Sequence, residues 1–161
     1  MPIINLPETW TTVLYLLLWP VFQIAASLVC LKMPDRYFSP FSLPYRELHL
    51  EKSGLLYNRI LMVRKWKDLL PEVGLLILRG GRRKRALHDF TKTGLEKFLV
   101  ESCRAEWAHL LAILLFVLLS FFVPGKAALF LIVYGLMMNL PCVIVQRYNR
   151  PRVIKLLEKL S

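Results

Sequence analysis

The chain lacks basic residues at its start and has little charge of any kind. No Lys or Arg precedes Lys32, and charged residues make up 20% of the 161. Hydrophobic residues make up 56%, with a mean hydropathy of +0.47, which argues against an ordinary soluble domain. Cysteine is sparse: Cys30, Cys103 and Cys142 show no C-x-x-C spacing. That argues against a disulfide framework or a zinc site, so free thiols and no metal are expected. The basic run "RGGRRKR" (79–85) lacks the spacing of a phosphate-binding P-loop. Neither a nucleoside-binding element nor a dense aspartate motif is present, against methyl or phosphoryl transfer. No DNA- or RNA-binding module is visible and the basic residues are scattered between apolar segments, so no nucleic-acid partner is expected. Internal repeats and low-complexity tracts are absent.

Present instead are three long apolar runs and a net charge of +11. High apolar content and high positive charge fit together where basic residues face anionic lipid headgroups. A bilayer core needs about 20 helical residues. The run 10–31 has no charge and can span; Pro20 in its middle predicts a kink. It is too long, and its N-terminal flank too poor in Lys and Arg, for a cleaved signal peptide. The runs 107–123 and 127–145 are separated by "PGK", which predicts an antiparallel helical hairpin. Sixteen of the 22 basic residues lie between Lys32 and Arg104, one in the turn and five beyond Val145. The positive-inside rule then puts the N-terminus and the turn outside and residues 32–106 and 146–161 in the cytoplasm. The expectation is one all-α domain (1–161), an integral protein of the cell membrane. Its three transmembrane helices are a kinked N-terminal span and a C-terminal hairpin, with a basic, partly interfacial helical segment between.

Within that segment "LLYNRILMVRKWKDLLP" (55–71) mixes apolar residues with Arg59, Arg64, Lys65 and Lys67. It predicts a helix lying in the interface with Trp66 at headgroup depth. "TKTGLEKFLVESCRAEW" (91–107) predicts an amphipathic helix running into the second span. Equal counting from the turn brings His109 level with Asn139 or Leu140, and Glu101 level with 146–150. Two polar clusters, "ESCRAEWAH" (101–109) and "NLPCVIVQRYNRPR" (139–152), therefore meet at one membrane boundary. Pro141 and Pro151 are expected to interrupt the third helix and open a cavity. Glu101 and Arg104 lie one turn apart, as do Glu106 and His109. Together the four cover too wide an arc for one tight site, so some must face the interfacial segment. Ionisable groups at the edge of hydrocarbon are candidate functional residues. A histidine, with its ordinary pKa of about 6.5, suits proton transfer.

Those stretches, with "PDRYF" (34–38) and "VRKWK" (63–67), resemble the glycosyl-4,4'-diaponeurosporenoate acyltransferases, membrane enzymes of staphyloxanthin-type carotenoid synthesis. They occur in the family's order, "QRYNRPR" being the most specific. Two departures are Leu110, where the family tends to carry an aromatic, and the 79–85 run. The resemblance implies transfer of a fatty acyl chain to a sugar hydroxyl of a glycosylated carotenoid or other glycolipid. On that reading His109 is the general base, oriented by Glu106 or Glu101. Arg104, Arg147, Asn149 and Arg150 are candidate oxyanion donors. Asn139, Gln146, Tyr148 and Arg152, with Arg64, Lys65, Trp66 and Lys67, complete the candidate substrate-binding set. No resident cofactor is expected; the acyl donor, such as acyl-CoA, is a co-substrate. The partners are the lipid bilayer, a lipid-like acceptor and the donor, and a homo-oligomer is compatible with the sequence. The alternative is a non-catalytic membrane adaptor organising a biosynthetic complex.

Overall fold

The computed structural model describes residues 8–70, 90–123 and 125–160. The 79–85 basic run, Pro71 and Pro124 of the turn lie outside them. Among the described residues the fold is entirely helical. Helix α1 spans Glu8–Lys32 and continues through Pro20. Short 3₁₀ turns at Asp35–Tyr37 and His49–Glu51 follow, then α2 (Leu55–Leu61) and α3 (Val63–Trp66). Two long helices close the chain, α4 (Lys92–Ser120) and α5 (Gly125–Glu158).

Helix α4 starts where the sequence says it should. Thr91 is its N-cap, its hydroxyl accepting a hydrogen bond from the Gly94 N–H at 3.2 Å. At 29 and 34 residues, α4 and α5 are long and apolar enough to cross a membrane. Their lengths, about 43 and 51 Å at 1.5 Å per residue, exceed a hydrocarbon core of about 30 Å. The surplus of α4 lies in its polar first half, and that of α5 in its polar last turns. A shorter apolar stretch, Leu16–Lys32, belongs to α1. Leu17, Val21, Leu28, Leu118, Leu129 and Met137 are exposed on the outer surface of these helices.

Three apolar clusters hold the helices together. At one end Phe116, Val123 and Leu131 pack with Leu18, Phe22 and Tyr134. Here α4 and α5 approach closely, because Gly135 leaves no side chain in the way; an added Cβ would sit 2.9 Å from the Phe116 ring. In the middle Cys30, Phe38, Tyr45, Cys103 and Ala108 join α1, the 33–54 segment and α4. At the other end Leu95 and Leu99 meet Val153.

Two expectations are corrected. The 55–71 stretch is not one helix, because Met62 adopts a left-handed conformation (φ 48°) and divides α2 from α3. Val63 is thereby fully buried while Ile60, Leu61 and Met62 stay exposed. Pro141 and Pro151 do not interrupt α5, which runs unbroken through both. The ring fixes φ near the helical value and removes one hydrogen bond. Buried Asn139 and Val143 on either side of the first, and Arg150 and Val153 around the second, hold the helix in line.

Candidate functional site

The 101–109 stretch of α4 delivers four ionisable residues to three different neighbours. Arg104, buried, donates to Glu101 one turn back and to Asp35 of the first 3₁₀ turn. Its guanidinium lies 4.9 Å from the centre of the Phe38 ring. A concave space of about 380 Å³ beside this group is lined by Asp35, Glu96, Lys97, Glu101 and Arg104.

Two residues on, Glu106 is completely buried and both its oxygens are engaged. Oε1 accepts from Arg147 Nε at 2.8 Å, and Oε2 from Arg150 Nη2 at 2.6 Å. Arg147 also donates to Glu51 Oε1 at 2.9 Å and to the Pro44 carbonyl at 2.5 Å. Arg150 donates to the Tyr45 carbonyl at 2.9 Å and to Ser102 Oγ at 3.4 Å. Glu51, also buried, accepts from the Leu48 N–H at 2.9 Å and from the Tyr57 hydroxyl. Burial pushes the Glu51 carboxyl upward. Hydrogen bonds from Tyr57, Leu48 and Arg147 and the Arg147 charge more than offset this, holding it below the ordinary carboxylate value. Burial and the bond to Glu51 push the Tyr57 phenol up, so it remains a donor. The Tyr45 phenol is raised to about 12, by burial and then by Cys103 and Glu106. Two glutamates and two arginines thus neutralise one another, and the net positive charge of the chain lies elsewhere.

One turn further on, the cluster becomes neutral. His109 Nδ1 lies 2.9 Å from Asn139 Oδ1, the partner that counting from the turn predicted. Asn139, completely buried, donates Nδ2 to the Gly135 carbonyl one turn back at 2.9 Å. A carbonyl only accepts, so the amide nitrogen must face Gly135 and the oxygen must face the imidazole. Nδ1 then carries the proton, and Nε2 keeps its lone pair with no hydrogen-bond partner among the described residues. Gln23 of α1 completes the group, its Nε2 3.5 Å from His109 Nδ1.

Several candidates fall differently from the sequence reading. The group orienting His109 is Asn139, whereas Glu106 turns to the two arginines. Arg147 and Arg150 are occupied by carboxylates and backbone carbonyls, and Tyr148 is buried beneath Arg152 at 3.4 Å. Gln146 and Asn149 are half-buried on α5. Arg64 and Lys65 are exposed, Lys67 lies 3.8 Å from Asp68, and the Trp66 indole donates to the Leu61 carbonyl at 2.7 Å. Asp35, Glu51, Tyr57 and Gln23 were not among the sequence candidates. Only Asp35 had a signal, inside "PDRYF".

A family model described as glycosyl-4,4'-diaponeurosporenoate acyltransferase matches residues 34–159. Curated proteins bearing that description include one from Staphylococcus aureus strain bovine RF122 / ET3-1. It is 32% identical over 143 residues, covering 89% of this chain and 86% of the relative. The protein of strain MRSA252 is likewise 32% identical with the same coverage, and that of strain USA300 31%. No solved structure matches the chain.

Proposed function

The chain belongs to the glycosyl-4,4'-diaponeurosporenoate acyltransferase family, and on that premise we propose that it esterifies a sugar hydroxyl of a glycosylated carotenoid with a fatty acyl chain. It is an acyltransferase, and His109 is the general base. Its Nε2 takes the proton of the acceptor hydroxyl as the oxygen attacks the acyl carbonyl of a thioester or ester donor. The tetrahedral intermediate collapses, the C–S or C–O bond to the leaving group breaks, and the imidazolium returns the proton to that group. The observation that carries this reading is the fixed tautomer. Asn139, itself held by the Gly135 carbonyl, accepts from Nδ1 and leaves Nε2 as a base. The adaptor alternative has no support in the family.

The site works at the membrane boundary. The lengths of α4 and α5 support two spans forming a hairpin, the uncharged run 10–31 of α1 supports a third, and the clustering of basic residues supports an N-terminus outside and polar ends in the cytoplasm. An amphiphilic acceptor can then lie with its polyene in lipid and its sugar at His109. The donor is a co-substrate such as acyl-CoA. Exposed Arg64 and Lys65, with Lys67, suit its phosphates and the anionic headgroups.

Purified protein assayed with acyl-CoA and glycosylated carotenoid tests the reading. His109→Gln should lower the rate by about 10² to 10⁴ while the protein remains folded. Activity within a few-fold of wild type would remove His109 from the mechanism. Reporter fusions at Lys126 and Lys155 should report outside and cytoplasm respectively.

A further inference from the structure

Gln23 is a carboxamide in an otherwise apolar stretch of α1, flanked by exposed Val21 and Ile24. The nearby Ser27 hydroxyl is satisfied within the helix, donating to the Gln23 backbone carbonyl at 2.7 Å. The Gln23 side chain is not satisfied. Its Nε2 lies 3.5 Å from His109 Nδ1, whose proton already goes to Asn139, so two donors face each other there and no hydrogen bond forms. The other end, Oε1, is buried with no partner among the described residues. A buried polar atom without a partner is rare and costly.

We infer that Gln23 contacts substrate: the free end of its carboxamide hydrogen-bonds a hydroxyl of the acyl acceptor's polar head, beside the hydroxyl that reacts at His109. The inference rests on the acyl-transfer reading above. The chemistry of the ligand follows from what the site can satisfy. Which amide end faces the imidazole does not matter, because a hydroxyl both donates and accepts and so matches either end. An acyl chain or a polyene offers neither. A phosphate would need a cation, and the arginines of the neighbouring turn are already held by Glu106 and Glu51. A polyhydroxylated, uncharged head is the class that fits. The residue comes from α1, outside the 34–159 stretch that the family model matches.

The test compares wild type with Gln23→Leu in detergent micelles. The donor is palmitoyl-CoA, and the acceptors are a glucosylated carotenoid and its monodeoxy-glucose analogues. Gln23→Leu should lower kcat/KM for the acceptor about 10- to 100-fold and leave the KM for the donor unchanged. One deoxy analogue should lose as much on wild type and lose nothing further on the variant, since the same contact is missing from either side. Gln23→Leu within about twofold of wild type would overturn the assignment. So would an equal further loss on every analogue, the signature of a purely structural role. If Gln23→Leu does not insert, Gln23→Met carries the same expectations. Wild type that acylates no glycoside would overturn the acyl-transfer reading itself, and this assignment with it.

Discussion

Two neighbouring turns of α4 carry polar residues of opposite character. At Glu106 the cluster is charged and closed: two carboxylates and two guanidiniums meet, and backbone carbonyls take up further donors. At His109 the cluster is neutral and open. An imidazole, a carboxamide from α5 and a carboxamide from α1 touch, and among the described residues both Nε2 of His109 and one end of Gln23 lack partners. Charge density alone would point to the first as the site of chemistry. Hydrogen-bonding capacity points to the second. Among the described residues the charged turn has both Glu106 oxygens taken and leaves only the buried Nε of Arg150 without a partner, whereas the neutral turn offers His109 Nε2 and a free end of Gln23. The charged turn is a clamp that fixes the 40–57 segment to α5, and in the proposed mechanism the neutral turn is where the hydroxyl is received.

Substitutions can break this comparison. The largest effect should fall on His109→Gln, whose loss of up to about 10⁴ in rate corresponds to about 5 kcal/mol in the barrier. Its thermal unfolding should stay close to wild type. Glu106→Gln should behave in the reverse way. Leaving buried Arg150 and half-buried Arg147 short of their carboxylate costs about 3–5 kcal/mol of stability, read as a lower unfolding temperature in detergent. Glu106→Gln with unchanged stability and abolished turnover would move the carboxylate from clamp to chemistry. Arg150→Lys sharpens the clamp further. It keeps the charge but loses the planar fork that reaches Glu106, Ser102 and the Tyr45 carbonyl together, so a loss of about 1–3 kcal/mol is expected.

The smallest effect is a pH dependence. The Glu51 carboxyl is held below its ordinary value of 4.5 in the folded protein. Its contribution is therefore complete above that value and is lost as pH falls through the lower, folded value. Glu51→Gln should be less stable than wild type at neutral pH, and the gap should narrow as pH drops below about 4. A gap that stays constant across that range would mean the carboxylate is not held by Tyr57 and Arg147.

Much of the helical frame was legible. Apolar runs, the Thr91 cap and the i, i+3 pairing of Glu101 with Arg104 are local signals. Counting residues away from a tight turn was enough to bring His109 to Asn139, since helices have a fixed rise. What stayed hidden depends on irregular backbone. Glu51 reaches Arg147 across 96 residues through a segment of turns whose path no periodicity encodes. The break at Met62 is a left-handed residue without a glycine to announce it. The prolines of α5 misled for a related reason: packing on both sides overrode a local breaker. Gln23 was missed because one amide in an apolar run carries no spacing signal until a second helix supplies its neighbour.

Gly135 gathers these threads at a single backbone unit. Its missing side chain lets the Phe116 ring lie against α5, and its carbonyl, one turn from Asn139, decides which way that amide faces. A lone methyl group added there would act as a shim between two rods. It would change neither the charge nor the hydrogen-bonding groups of the site, yet it would shift the distance at which one helix reads the other. The base role proposed for the imidazole would thus be inherited from an empty space that it never touches.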